Sequence, residues 1–256
     1  MEFANKLALV TGAASGIGAA TTRLLAERGA KVFAVDINGE KLEALCAELG
    51  SDVVPYVADL AMRAEVEGMV TAGVEALGGL DTFVSNAGVG SSGRAADLDP
   101  DDWRRVMAIN LDATYLAARI ALPHLATRRG NIVAVASVSG HGGDYRIPAY
   151  NSAKAGLLGL IRNIALDYAG EGVRANAVSP GLTLTALSAS MPQTVKDAFA
   201  AAIPMQRGGT ADEVAEAICF LASERASYIT GQSIVVDGGL LAHTGQPDFV
   251  RLGTQA

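Results

Sequence analysis

Only two cysteines and three histidines occur in the 256 residues, and that scarcity restricts the chemistry at once. Cys46 and Cys219 lie far apart, each in an apolar helical pattern, and neither has a second Cys or His at metal-ligand spacing. His124 and His243 have no companion at such spacing either. The expectation is two buried free thiols and no catalytic metal. Positive charge is also short, with 20 Lys and Arg against 27 Asp and Glu for a formal net charge of -7. No long basic run offsets that balance, so phosphate backbones and anionic lipid surfaces would be repelled, and neither nucleic acid nor membrane is expected as a partner. The strand-like Lys6–Val10 follows Met1 too closely for a basic segment and a long apolar one, from which a cytoplasmic protein is expected. Low-complexity linkers and repeats of fixed period are missing too, which argues against a solenoid.

What is abundant is apolar: half of the residues, with only 18% charged. Such a balance suits a sheet covered on both sides, and 256 residues fit one large α/β domain without a second core. Short apolar runs recur at Leu7–Val10, Val32–Val35, Val53–Val57, Thr82–Val84, Ile132–Val135, Ala175–Val178 and Ile234–Val236, and they predict strands. Between them, apolar residues at three- and four-residue intervals predict helices over Gly16–Arg28, Lys41–Leu49, Glu65–Leu77, Trp103–Leu122, Tyr150–Tyr168 and Glu213–Leu221. Alternating strands and helices need long crossovers. They favour a Rossmann-like, doubly wound parallel sheet of about seven strands, with helices on both faces. The loosest stretches, Gly88–Pro100, Gly140–Pro148 and Leu182–Arg207, are the loops expected to carry specificity.

Directly after the first strand comes Thr11-Gly12-Ala13-Ala14-Ser15-Gly16-Ile17-Gly18, opening a helix with three glycines. A helix N-terminus that another group can approach closely favours a pyrophosphate. A glycine turn that merely packs helix on sheet is an equally good reading of the loop by itself. Asp36 ends the second strand, eighteen residues beyond Gly18, where a carboxylate can accept from both adenosine ribose hydroxyls and would repel a 2′-phosphate. An Asp after a strand is often only a cap or turn former. Together with the glycine loop it points to NAD, and neither Ser15 nor Ile37 supplies the cation that NADP would need.

From about Leu7 to Gly239 the chain resembles the short-chain dehydrogenase/reductase family, in the group with the Thr-Gly-x-x-x-Gly-x-Gly loop. The landmarks stand in order: Asp59-Leu60, Asn86-Ala87-Gly88, Asn110, Ser137, Tyr150-Asn151-Ser152-Ala153-Lys154 and Pro180-Gly181. The resemblance implies that Asp59 and Leu60 contact adenine. Asn86-Ala87-Gly88 would steady the sheet beside the cofactor, and Pro180, Gly181, Thr183 and Thr185 would meet the nicotinamide. It also implies a catalytic set of Asn110, Ser137, Tyr150 and Lys154, with Ser137 holding the substrate oxygen. Asn110 would bend its helix and support a water leading from Lys154 to solvent.

Tyr150 and Lys154 stand four apart in a helical pattern and so project on one face. A free tyrosine titrates near ~10, and lowering that by about three units takes roughly 4 kcal/mol, which one cation at ~4 Å can supply at an effective dielectric of ~20. Lys154 is expected to make Tyr150 the general acid/base. Each of these residues alone also has an ordinary structural reading, as amphipathic core, solvated charge, strand-end cap or helix defect.

The resemblance further implies a lid over about 182–207, and Leu187 and Met191 within it join Ser139, His141 and Asp144 as candidate substrate-pocket residues. It also implies a homotetramer associating through the last helix and strand; the C-terminal extension 240–256 is longer than a minimal family member needs, with Phe249 and Leu252 available to dock on its own or a neighbouring subunit. The expected function is interconversion of a secondary alcohol and a ketone with NAD. A reductase of activated carbonyls such as 3-oxoacyl thioesters and a non-catalytic NAD-binding regulator stand as alternatives.

Overall fold

Leu7–Thr11 (β1) is buried at all five positions, the unbroken apolar pattern of a parallel strand covered on both faces. It is joined by Lys31–Asp36 (β2), Val53–Val57 (β3), Thr82–Ser85 (β4), Asn131–Val135 (β5), Arg174–Pro180 (β6) and, late in the chain, Ser233–Val236 (β9). These seven strands form one sheet in the order β3-β2-β1-β4-β5-β6-β9, all adjacent pairs parallel. The computed structural model describes residues 1–185, 191–244 and 246.

Every crossover carries the chain over one face or the other, and two apolar cores result. Leu9 and Phe33 belong to the core shared with Arg63–Leu77 (α3), Ala113–Arg128 (α5) and Pro148–Tyr168 (α6). Ala8 and Val10 point the other way, into the core under Gly16–Glu27 (α1), Gly39–Leu49 (α2) and Ala211–Ala222 (α8). The order reverses between β1 and β4, and at such a switch point the loops beyond the carboxyl ends of the strands diverge and leave a crevice. Cys46 and Cys219 are buried in the second of these cores, and burial pushes the Cys219 thiol up to about 12.

Two expectations need correction. The predicted helix Trp103–Leu122 is two helices, Pro100–Met107 (α4) and α5, joined by a π-helical turn over Ala108–Asp112. Asp99 caps its start through Asp101 N–H, and α5 continues through Pro123 to Arg128. The stretch 182–207 is also less loose than expected. Thr183–Leu184 (β7) pairs in parallel with Gly209–Thr210 (β8) as a separate two-stranded sheet, and Gln193–Ala202 (α7) lies between them. The base of that excursion is held by Thr210 and Glu213, which form a reciprocal capping box at the start of α8 while Arg207 pairs with Glu213. Leu187, Phe249 and Leu252 lie outside the described residues. Among the described residues no helix is long and apolar enough to cross a membrane.

Candidate cofactor and active site

The glycine loop folds back on itself. Gly12 and Gly16 have φ of +66° and +52°, which suit a residue without Cβ. Gly18, inside α1, is needed for another reason: a Cβ there would stand 2.0 Å from the carbonyl oxygen of Gly12. Thr11 and Asn86 lock the loop against the end of β4. Asn86 Nδ2 donates to the carbonyls of Thr11 (2.9 Å) and Gly12 (3.2 Å), and the Thr11 hydroxyl accepts from the N–H groups of Asn86 and Ala87. Asn86 therefore holds the loop in shape. Ser15, at the N-cap of α1, makes no side-chain cap hydrogen bond, which leaves the first-turn N–H donors without that partner.

These donors border a cavity of about 530 Å³ at the switch point. Of the expected cofactor residues, Gly12, Ser15, Gly16, Ile17, Asp36, Asp59, Leu60, Asn86, Ala87, Gly88 and Thr185 line it. Its walls are completed by Ile37, weighed in the sequence only for its lack of charge, and by Ala58, Ala61, Val89, Arg105 and Ile109, which sequence reasoning missed. Asp36 is a turn former as well as a wall residue, since its two oxygens accept from Ala14 N–H and Asn38 N–H, each at 2.9 Å. Each carboxylate oxygen keeps a further lone pair for a hydroxyl donor. Asp59 likewise holds its own turn through Ala61 N–H at 2.9 Å. Uncapped helical N–H groups at one part of the cavity, a carboxylate at another and apolar walls between them fit a dinucleotide.

Gly88 connects this cavity to the catalytic candidates. A Cβ on it would lie 2.8 Å from Asn110 Oδ1 and 3.5 Å from Lys154 Nζ. Asn110 sits in the π-helical turn, where its amide accepts from Val89 N–H (2.9 Å) and donates to Val89 C=O (2.7 Å), tying the helix to the cavity wall. Ser137 follows β5, and its hydroxyl oxygen accepts from Ser139 N–H at 3.1 Å as a one-turn 3₁₀ helix begins. Pro148 starts α6, which presents Tyr150 and Lys154 one turn apart. The Ser137 hydroxyl acts on that of Tyr150 in the direction that favours the phenolate. Lys154 is only 3% exposed, donates to the carbonyl of Val135 at 2.7 Å and stands 5.6 Å from the centre of the Tyr150 ring.

Burial acts on both members of the Tyr150–Lys154 pair. It pushes the Tyr150 hydroxyl above its ordinary pKa, the Ser137 hydroxyl opposes that, and the charge of Asp144 raises it further. Burial also lowers the Lys154 pKa, to about 8, while its ammonium donates to the Val135 carbonyl.

The remaining candidates lie around this centre. Pro180 ends β6, Gly181 N–H donates to Val236 C=O, and the Thr183 hydroxyl donates to Gly181 C=O; Pro180, Gly181 and Thr183 shape the turn, whereas Thr185 reaches the cavity. His141 is exposed, and its Nε2 lies 3.0 Å from the Ser179 hydroxyl and 3.2 Å from that of Ser233, so the ring is engaged by the ends of β6 and β9. The buried Ser139 donates to the carboxylate of Asp144, and Met191 is half-buried on the approach to α7.

Comparison with known proteins gives the same picture over nearly the whole chain. A family model described as enoyl-(acyl carrier protein) reductase matches residues 12–241. The chain is 39% identical over 252 residues to meso-2,3-butanediol dehydrogenase of Serratia marcescens, covering 98% of this chain and 100% of that one. It is 38% identical over 245 residues to a 3-oxoacyl-[acyl-carrier-protein] reductase of Thermotoga maritima, covering 94% and 100%. Among solved structures, levodione reductase superposes with a TM-score of 0.89 at 34% identity, covering 94% of this chain and 99% of that one. With a switch-point cavity beside a Ser, Tyr and Lys cluster, and relatives matched from end to end, this chain belongs to the short-chain dehydrogenase/reductase family, oxidoreductases that act on alcohols or ketones with a nicotinamide cofactor.

Proposed function

We propose that the protein is an NAD-dependent dehydrogenase that interconverts a secondary alcohol and its ketone, with Tyr150 as the general acid/base. The observation that carries this reading is the convergence of Ser137 after β5 with Tyr150 and the buried Lys154 on α6, with the cavity on the other side of Gly88. Gly12, Ser15, Gly16 and Ile17 would hold the pyrophosphate of the cofactor. Asp36 would hold the adenosine ribose, with the wall at Asp59 and Leu60 beside the base and Thr185 toward the nicotinamide end. When bound, the oxidised nicotinamide supplies the hydride acceptor and a positive charge.

Ser137, whose oxygen accepts from Ser139 N–H, would turn its proton from Tyr150 to the substrate oxygen when the alcohol or ketone is bound. Tyr150 Oη takes the hydroxyl proton of the alcohol or returns it to the carbonyl. Lys154 favours the phenolate as the second cation, and Asn110 keeps the π-helical turn in the register that places Val89 and Gly88 beside it. Asp36 supports NAD over NADP, because a 2′-phosphate would meet its carboxylate.

The test is NADH formation from a panel of secondary alcohols with wild type and Tyr150→Phe, repeated with NADP. Turnover with NAD and a loss of at least ~10³-fold in Tyr150→Phe are expected, with NADH binding retained. Full turnover in Tyr150→Phe would refute the role of the tyrosine, and turnover only with NADP would favour a second reading, reduction of activated carbonyls. That second reading is supported by the likeness to the Thermotoga maritima enzyme. We also propose assembly as a homotetramer. Leu166 on α6 is 80% exposed, and Tyr115, Tyr228 and Val235 are apolar or aromatic side chains facing solvent that association would cover.

A further inference from the structure

We propose that Asp144, held in place by Ser139, is a charge filter at the substrate side of Tyr150, admitting uncharged alcohols that carry a second hydroxyl and rejecting anionic ones. The inference rests on the dehydrogenase reading above. Asp144 lies in the exposed segment after Ser137, yet it is fixed at two points. Its Oδ2 accepts from the hydroxyl of Ser139, which is 7% exposed and only two residues beyond Ser137. Its N–H donates to Asn151 Oδ1 at 2.6 Å when that amide is oriented to satisfy both of its neighbours, and Asn151 is the residue next to Tyr150.

Ser139 and Asn151 thus tether Asp144 to the segments that carry Ser137 and Tyr150. The charge of Asp144 also acts on the Tyr150 hydroxyl, in the direction that raises its pKa. Among the described residues no cation forms an ion pair with Asp144, so its charge is not neutralised. Its Oδ1 also accepts no hydrogen bond among the described residues, while a Cβ at neighbouring Gly142 would meet nothing within 4 Å.

An ionised carboxylate is an acceptor only. A substrate that places a hydroxyl beside its reacting carbinol can donate to Oδ1, a monoalcohol leaves that acceptor to water, and a carboxylate in the same place is repelled. The substrate class is therefore an uncharged diol or hydroxy ketone. Like-charge repulsion at an effective dielectric of about 20 to 40 amounts to roughly tenfold or more in kcat/KM for two charges that share the site.

The experiment compares kcat/KM for 2,3-butanediol, 2-butanol and 3-hydroxybutyrate in wild type, Asp144→Asn, Asp144→Glu and Ser139→Ala. Wild type is expected to favour the diol over both others. Asp144→Asn should raise 3-hydroxybutyrate relative to the diol by about tenfold or more. Asp144→Glu, which keeps the charge, should keep the bias, and Ser139→Ala, which frees the carboxylate, should lower the preference for diol over monoalcohol several-fold. Equal changes in Asp144→Asn and Asp144→Glu, or unaltered ratios in all variants, overturn the filter. Equal wild-type turnover of diol and monoalcohol overturns the filter and leaves the dehydrogenase reading standing, whereas no turnover of any of the three with NADH still bound overturns both.

Discussion

Lys154 places a charge where folding alone would not choose one, and replacing it with methionine should expose that cost. The ammonium is 3% exposed, and among the described residues its hydrogen bond goes to a neutral carbonyl, that of Val135. Burial lowers its pKa from 10.5 to about 8. Below that pH the lysine is charged in both the folded and unfolded chain, and the full desolvation penalty applies. As pH rises from 8 to 10.5 the folded form gives up its proton while the unfolded form keeps it, so stability increases with pH across that window. The difference of 10.5 − 8, about 2.5 pH units at ~1.36 kcal/mol each, corresponds to about 3 kcal/mol.

Methionine fills a similar volume without titrating, but it leaves the Val135 carbonyl without its donor, a pH-independent cost of about 1–3 kcal/mol. The two effects oppose each other at pH 7, so a single comparison there decides little. The informative quantity is the unfolding free energy of wild type minus that of Lys154→Met, measured by urea denaturation without cofactor at pH 7 and pH 10. Tyr150, which burial also pushes up, is present in both proteins and cancels to first order. The difference should rise by about 2–3 kcal/mol in favour of wild type between the two pH values. A difference that stays constant within about 0.5 kcal/mol would show that Lys154 is already neutral or well solvated, and would remove the basis for treating it as the cation beside Tyr150.

Gly18→Ala should destabilise the protein by more than ~2 kcal/mol, because the added carbon would meet the backbone oxygen of Gly12 at 2.0 Å and Asn86 Nδ2 at 2.5 Å. Thermal unfolding checks it, and an unchanged midpoint would mean that the loop and α1 separate more easily than their contacts imply. Assembly is checked by light scattering, where a mass near four times the 26.2 kDa chain is expected and a monomer would remove the proposed burial of Leu166 and Val235.

The parts legible from sequence are those whose signal is local. The five central strands were visible because a parallel strand buried on both faces must be apolar almost throughout, as Leu7–Thr11 is, whereas the partly exposed edge strands β3 and β9 were visible through their β-branched residues. The glycine loop, Asp36 and the Tyr150–Lys154 pair were visible because their chemistry depends on short spacings that survive in any window. The π-helical turn at Asn110 was not visible, since one extra residue per turn barely disturbs a 3.6-residue apolar pattern. β7 and β8 are two residues each and exist only through their pairing with one another, and the cavity wall formed by Val89, Arg105 and Ile109 is assembled from segments that meet only in the fold.

Tyr150 shows where the local argument was incomplete. Spacing correctly put a cation on the same helical face and supplied its Coulombic attraction, but desolvation is a property of the surroundings, and here it acts on both members of the pair. It raises the tyrosine and lowers the lysine, so each is held toward its neutral form until other charges arrive. Tyr150 would be drawn toward its charged form by a positive charge held in the cavity across Gly88, so that activation of the proton acceptor would be coupled to occupancy of that cavity.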